Sequence, residues 1–127
     1  MGIELNHTIV RCSDKWRSAD FVTELFGLSA PTQFGRFAVV ELANGVSLDF
    51  ADTSDEMVRQ HYAFLVTEED FTDIYGKIVE RGLDHWAGPG RSRPSEINRR
   101  DGGRGVYFED PDGHSLEIIT RPYGSDS

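Results

Sequence analysis

Two histidines and two carboxylates occupy matching positions in the two halves of this sequence. His7 and Asp49 lie in the first half, and His61 and Glu117 lie in the second. Imidazole nitrogen and carboxylate oxygen are typical ligands of Mn, Fe, Ni, Co and Zn. A metal held by two histidines and one glutamate keeps open positions for a substrate with two neighbouring oxygens, which is what Lewis-acid chemistry requires. The sequence therefore predicts a site for one divalent metal ion with His7, His61 and Glu117 as ligands.

Asp49 has two possible roles in such a site. Its side chain is one methylene shorter than that of Glu117, its counterpart in the second half. Asp49 could be a fourth metal ligand, directly or through water, or it could be the catalytic base.

An internal repeat aligns these residues. One fixed shift of the numbering superimposes six identical pairs and then places Asp49 on Glu117; the pairs are Gly35 and Gly103, Arg36 and Arg104, Glu41 and Glu109, Gly45 and Gly113, Ser47 and Ser115, and Leu48 and Leu116. A repeat of this kind indicates two copies of one structural module.

The pattern of elements predicts an α+β fold in which each half has the order β-α-β-β-β. Module 1 covers about 3–53, module 2 covers about 59–121, and the polar tail 122–127 is expected to fray. The 127 residues form a single domain, because each half alone is below the size that usually folds. Two modules related by pseudo-symmetry then close one cup-shaped mixed sheet.

Local signals set the limits of the elements. Ser13-Asp14 and Thr67 are typical of helix starts, and Gly27 and Gly82 are typical of helix ends. Alternating or β-branched runs predict the strands; these are 5–10, 34–42, 46–51, 60–66, 83–87, 106–109 and 114–120.

The connection 88–103 is long and rich in Gly, Pro, Ser and Arg. A structureless connection of this length is commonly a lid, a binding loop or a disordered segment. His85 and His114 lack such support from the repeat; we expect His114 to be a residue of the hairpin turn and His85 to pack at a strand end.

The charge balance limits the possible partners. The formal charge is −9 and the sequence pI is near 4.8, which argues against nucleic acid and against anionic membranes. No apolar run approaches the length of a membrane span, and no export signal is visible at the N-terminus. The lone Cys12 is typical of a protein of the reducing cytoplasm.

The sequence resembles the vicinal oxygen chelate superfamily in three features: the paired modules, the histidines His7 and His61, and the segment Asp110-Pro111-Asp112-Gly113-His114-Ser115-Leu116-Glu117. That superfamily includes glyoxalase I, fosfomycin-resistance thiol transferases, extradiol dioxygenases and bleomycin-sequestering proteins. The resemblance implies a metal held by His7, His61 and Glu117, with Asp49 where glyoxalase I has a glutamate. It also implies a homodimer.

The leading functional hypothesis is a divalent-metal-dependent enzyme that acts on a small, oxygen-chelating and possibly anionic substrate. Its reaction would be that of a glyoxalase-like lyase or a fosfomycin-type thiol transferase, with Asp49 as the candidate base. Arg104, Arg121 and Tyr107 are the candidates for binding the substrate.

Two alternatives remain. A metal-free binding protein of the bleomycin-resistance type would use aromatic walls; those available are Trp16, Phe37, Trp86 and Tyr107. An Fe(II) extradiol dioxygenase would use the same two histidines and glutamate.

Overall fold

The computed structural model describes residues 2–125, which belong to two compact units. The first unit is Met1–Val58 and the second is Arg59–Ser127. The last two residues of the predicted tail, 126 and 127, lie outside the described residues.

The first unit is a four-stranded sheet with one helix. In chain order its elements are β1 (His7–Cys12), α1 (Lys15–Phe26), β2 (Thr32–Phe34), β3 (Phe37–Glu41) and β4 (Ser47–Asp52). The strand order in the sheet is β1-β4-β3-β2. Strand β1 is parallel to β4, and the other pairs are antiparallel.

The second unit repeats this arrangement with one added strand. Its elements are β5 (His61–Leu65), α2 (Glu68–Glu80), β6 (His85–Gly88), β7 (Ser92–Pro94), β8 (Gly105–Glu109) and β9 (Ser115–Ile119). The strand order is β5-β9-β8-β6-β7, and β5 is parallel to β9. The predicted α+β class and the β-α-β-β-β order are confirmed, with β7 as the addition.

Both helices begin where the sequence predicts. The side chain of Asp14 accepts a hydrogen bond from the backbone of Arg17 at 3.2 Å, and Thr67 caps α2 by accepting from Asp70 at 3.0 Å. Gly27 ends α1 in the left-handed conformation, with φ of 67°. These caps satisfy backbone groups that a helix end leaves unpaired.

Several predicted strand limits were wrong, and two of the differences have a clear structural cause. The stretch 34–42 is divided into β2 and β3 by a tight turn at Gly35, whose φ of 57° suits glycine. Strand β1 begins at His7 and not at Leu5, because its parallel partner β4 begins at Ser47. A strand can extend only as far as the neighbour with which it pairs.

The connection 88–103 is ordered, contrary to the expectation of a structureless segment. It contains β7, which pairs with β6, and a turn of 3-10 helix at Arg100–Gly102. The buried Asn98 donates to the backbone oxygen of Ala87 at 2.8 Å and forms a backbone bridge with Gly105. Backbone pairing and one buried amide therefore fix this segment against the sheet.

Each unit buries its own apolar face between helix and sheet. In the first unit the buried apolar side chains include those of Val10, Val22, Leu25, Val40, Leu48 and Phe50. In the second they include those of Phe71, Ile74, Ile78, Val106, Phe108, Leu116 and Ile118. Within residues 2–125, neither helix has the length and apolar character needed to cross a membrane.

The turn between β8 and β9 lies beside the start of β5, the strand that carries His61. Its closing residue His114 is fully buried, and its Nδ1 accepts a hydrogen bond from the backbone N–H of Gln60 at 3.0 Å. The backbone N–H of His114 donates to Asp110 Oδ1 at 2.9 Å. His114 thus fixes the start of β5, one residue before His61, to the start of β9.

Replacement of His114 by Ala should lower the free energy of unfolding by about 3 kcal/mol, because it opens a cavity and leaves the Gln60 N–H without its acceptor. The His114→Asn variant is the matched control, since its side-chain oxygen can accept from the same N–H. Urea unfolding of both variants measures the difference. Equal losses would show that the hydrogen bond to Gln60 contributes nothing.

Candidate metal centre

The parallel pairing of β5 with β9 brings His61 and Glu117 together. His61 is opposite Ser115 and Ala63 is opposite Glu117, so His61 and Glu117 side chains leave the same face of the sheet. His61 Nε2 lies 3.1 Å from Glu117 Oε1. Of the predicted ligands, these two are in direct contact.

The other ring nitrogen of His61 is held by β9. Nδ1 lies 3.1 Å from the backbone oxygen of Ser115 and 3.2 Å from its hydroxyl. A carbonyl oxygen only accepts, so Nδ1 carries a proton and Nε2 is the nitrogen that can ligate. Metal-binding histidines are commonly oriented by such a bond to the backbone.

The separation of Nε2 and Oε1 suits two ligands of one ion. Metal–nitrogen and metal–oxygen bonds near 2.1 Å place adjacent ligand atoms about 3 Å apart. A ring nitrogen and a carboxylate oxygen that face each other also need a positive centre between them, either a proton or a metal ion. The donor pair of the second unit therefore fits a divalent metal.

Glu117 has no solvent exposure, whereas the side chain of His61 is 47% exposed. The hydroxyl of Tyr123 donates to the Glu117 carboxylate, at 2.6 Å from Oε1 and 2.5 Å from Oε2. Burial, and then this hydrogen bond, raise the pKa of Tyr123, so the phenol keeps its proton and acts as a donor. Strong hydrogen bonds of this kind allow a carboxylate to be buried.

Tyr107 lies beside both predicted ligands. It is opposite Glu117 in the β8–β9 ladder, and its ring stacks on that of His61 with centroids 5.9 Å apart. Its hydroxyl lies 3.4 Å from that of Tyr123 and accepts from Arg100 Nη1 at 3.4 Å. Tyr107 was predicted to bind substrate, and this position borders the side chains of the two predicted ligands.

A cavity of about 520 Å³ opens beside His61, Trp86 and Tyr107. Its rim carries charge: Arg59 and Arg91 both pair with Glu109 at 2.9 Å. The guanidinium of Arg91 also lies 5.7 Å from the ring centre of Trp86. Two arginines against one glutamate leave an excess of positive charge at this rim, which favours an anionic group.

The first unit has the same register with different side-chain contacts. His7 is opposite Ser47 and Ile9 is opposite Asp49, as His61 and Ala63 are opposite Ser115 and Glu117. The largely buried Asp49 accepts from the Ser47 hydroxyl at 2.8 Å.

His7 of the first unit instead contacts Asn6 Oδ1 through Nδ1, at 2.7 Å. Within residues 2–58, His7 and Asp49 do not form a contact like that of His61 and Glu117. Over the described span 2–125, no three His, Cys, Asp or Glu residues form a group that could hold a metal.

Arg104, a predicted substrate-binding residue, lies against α2. Its Nε donates to Glu68 Oε1 and its Nη2 to the backbone oxygen of Glu68 and to Thr72 Oγ1, at 2.8 to 2.9 Å. Its guanidinium lies 4.4 Å from the ring centre of Phe71. These bonds hold α2 to the sheet.

Arg121, the other predicted substrate-binding arginine, is exposed and donates to Ser125 Oγ at 3.4 Å. Sequence reasoning missed two residues of the site, Tyr123 and Arg59. Tyr123 stands in a tail that was expected to fray, and Arg59 stands in a polar linker. No local pattern distinguishes either from a surface residue.

Comparison with known proteins gives consistent relatives. The solved structures of the oxidases ChaP-H1 and ChaP-H2 are 60% and 56% identical to this chain, with TM-scores of 0.95 and 0.96. The ChaP-H1 alignment covers 97% of this chain and 99% of that one, and the ChaP-H2 alignment covers all of both. Glutathione transferase FosA of Serratia marcescens is 32% identical over 120 residues, which are 90% of this chain and 78% of that protein.

A family model described as Glyoxalase/Bleomycin resistance protein/Dioxygenase superfamily matches residues 4–118. The matched residues span both repeated modules. The predicted resemblance is thus confirmed: this chain belongs to the glyoxalase/bleomycin resistance protein/dioxygenase superfamily.

Proposed function

We propose that this protein is a divalent-metal-dependent oxidase that acts on a small substrate with neighbouring oxygen atoms. The observation that carries the proposal is the 3.1 Å contact of His61 Nε2 with the buried Glu117 carboxylate at the edge of an open cavity. These two residues would hold the metal in the second unit. When bound, the metal supplies a Lewis acid and, if it is redox-active, an electron-transfer centre for the substrate oxygens.

His7 and Asp49 are the proposed further donors. Each occupies the same register position in its own sheet as His61 and Glu117 occupy in theirs. His7 would supply the second imidazole. Asp49 would be a fourth ligand or the base that accepts a substrate proton. We propose a homodimer as the assembled form, as the superfamily resemblance implies.

The chain's own side chains bind and orient the substrate. Trp86 and Tyr107 offer flat apolar surfaces in the cavity wall, and the Tyr107 ring lies against His61. Arg59 and Arg91 at the rim would attract an acidic group of the substrate. Arg104 and Arg121 are not among the residues that line this cavity, so the cavity does not support substrate-binding roles for them.

Oxidation is favoured over other reactions by the degree of similarity. Two oxidases share 56% and 60% of their residues with this chain across nearly all of its length, whereas a glutathione transferase shares 32%. An oxidase uses dioxygen as the electron acceptor. Thiol transfer or lyase chemistry on the same metal is the second candidate, and the likeness to the glutathione transferase supports it. Metal-free binding has no need of the His61–Glu117 pair.

The metal-binding role of His61 can be tested by metal content. Protein reconstituted with Fe(II) or Mn(II) and freed of excess ion should contain about one ion per chain, and the His61→Ala variant should lose it, because Nε2 is a proposed ligand. The His85→Ala variant is the matched control, since His85 bonds to Tyr75 and to the backbone of Leu83. Equal metal content in the His61→Ala variant and the parent would place the ion elsewhere.

The reaction class can be tested by following dioxygen. Anaerobically Fe(II)-loaded protein should consume dioxygen when mixed with a panel of catechols, hydroquinones and α-hydroxyketones, and the His61→Ala variant should not. A parallel reaction with glutathione and fosfomycin should give no conjugate. If a glutathione–fosfomycin conjugate forms and no dioxygen is consumed, the protein is a thiol transferase and the proposed oxidase activity is wrong.

A further inference from the structure

The C-terminal tail reaches the buried carboxylate of Glu117 through one side chain, Tyr123. The Tyr123 hydroxyl is within hydrogen-bond distance of both carboxylate oxygens, at 2.6 and 2.5 Å. Glu117 has no solvent exposure, while Tyr123 itself is 55% exposed. The hydroxyl end of this side chain is thus buried against Glu117, and the rest of the residue lies at the surface.

Several contacts hold the tail in this place. The backbone N–H of Gly124 donates to Asp101 Oδ2 at 3.1 Å, and that of Ser125 donates to the oxygen of Pro122 at 3.1 Å. The guanidinium of Arg100 lies 5.8 Å from the centre of the Tyr123 ring. The 3-10 turn Arg100–Gly102, at the end of the connection 88–103, is therefore the surface against which the tail packs.

The carboxylate of Glu117 contacts two side chains, Tyr123 and His61. The Tyr123 oxygen lies at nearly the same distance from both carboxylate oxygens, 2.6 Å from Oε1 and 2.5 Å from Oε2. Oε1 is the oxygen that faces His61 Nε2 at 3.1 Å. The Tyr123 hydroxyl therefore restrains rotation of the carboxylate, while Oε1 keeps a lone pair on the side of His61.

We infer that Tyr123 is a positioning residue for the metal site: its hydroxyl orients the Glu117 carboxylate so that Oε1 and His61 Nε2 bind one ion together. This inference rests on the proposed metal-dependent function. Hydrogen-bond partners of metal ligands commonly change metal affinity by about 10- to 100-fold when they are removed. The tail after Pro122 is accordingly part of the metal site.

The test compares metal affinity in the full chain and in the Tyr123→Phe variant. This change removes one hydroxyl and keeps the ring over which Arg100 lies. The dissociation constant for Mn(II), measured by competition with a chelator, should rise about 10- to 100-fold. The Tyr75→Phe variant is the matched control, because it also removes a hydroxyl that contacts a histidine, at 3.3 Å from His85 Nε2. Its dissociation constant should equal that of the parent.

A second measurement separates orientation of Glu117 from a general effect on stability. The visible absorption spectrum of Co(II)-loaded protein reports the geometry of the ligands, and it should change in the Tyr123→Phe variant and stay constant in the Tyr75→Phe variant. A chain that ends at Pro122 should behave as the Tyr123→Phe variant does, in both affinity and spectrum.

The outcomes distinguish this inference from the proposed function. If the parent binds no Mn(II) or Co(II), the proposed metal site itself is overturned. If the parent binds and the Tyr123→Phe variant binds equally well with an unchanged Co(II) spectrum, only the role of Tyr123 is overturned. Tighter binding by the variant would also overturn it, because the tail would then compete with the metal.

Discussion

The burial of the Glu117 carboxylate is the constraint on which the second unit depends. A carboxylate without solvent exposure is costly unless hydrogen bonds or a positive centre compensate it. The sheet supplies His61 through the parallel strand β5, and the C-terminal tail supplies Tyr123. Arg100 and Asp101, at the end of the ordered connection 88–103, contact that tail. Strand β5, the connection 88–103 and the C-terminal segment, which are distant in sequence, are thus brought together around the Glu117 carboxylate.

The duplicated module has diverged at the positions that matter for chemistry. In the first unit Val39 is opposite Asp49, where the second unit has Tyr107 opposite Glu117. Asp49 accepts a hydrogen bond from Ser47 of its own strand. The backbone register is preserved in both copies, so the repeat maintains the positions of His7 and Asp49 while the surroundings of the two carboxylates differ.

Much of the fold and the proximity of His61 to Glu117 could be predicted from the sequence, because those features rest on local or repeated patterns. The caps at Asp14 and Thr67 use short-range hydrogen bonds, and the repeat pairs Asp49 with Glu117. The contact of His61 with Glu117 follows from parallel pairing of strands that the repeat identifies. The caps, the repeat and the strand pairing can all be recognised from the spacing of residues in the sequence.

The remaining features depend on tertiary contacts that spacing does not express. Arg104 lies against α2 because Glu68 and Thr72 offer acceptors on the helix, which no linear pattern indicates. Tyr123 belongs to a polar segment, which is held beside the sheet by contacts with Asp101, Arg100 and Glu117 that no linear pattern indicates. The order of the connection 88–103 likewise depends on the pairing of β7 with β6 and on the buried amide of Asn98.

The most direct test of the central claim is anomalous diffraction from crystals of the full chain grown with Mn(II). The account predicts one strong anomalous peak within bonding distance of both His61 Nε2 and a Glu117 oxygen, and the same map would show which further donors complete the site. A fully occupied manganese peak away from His61 and Glu117 would contradict the account.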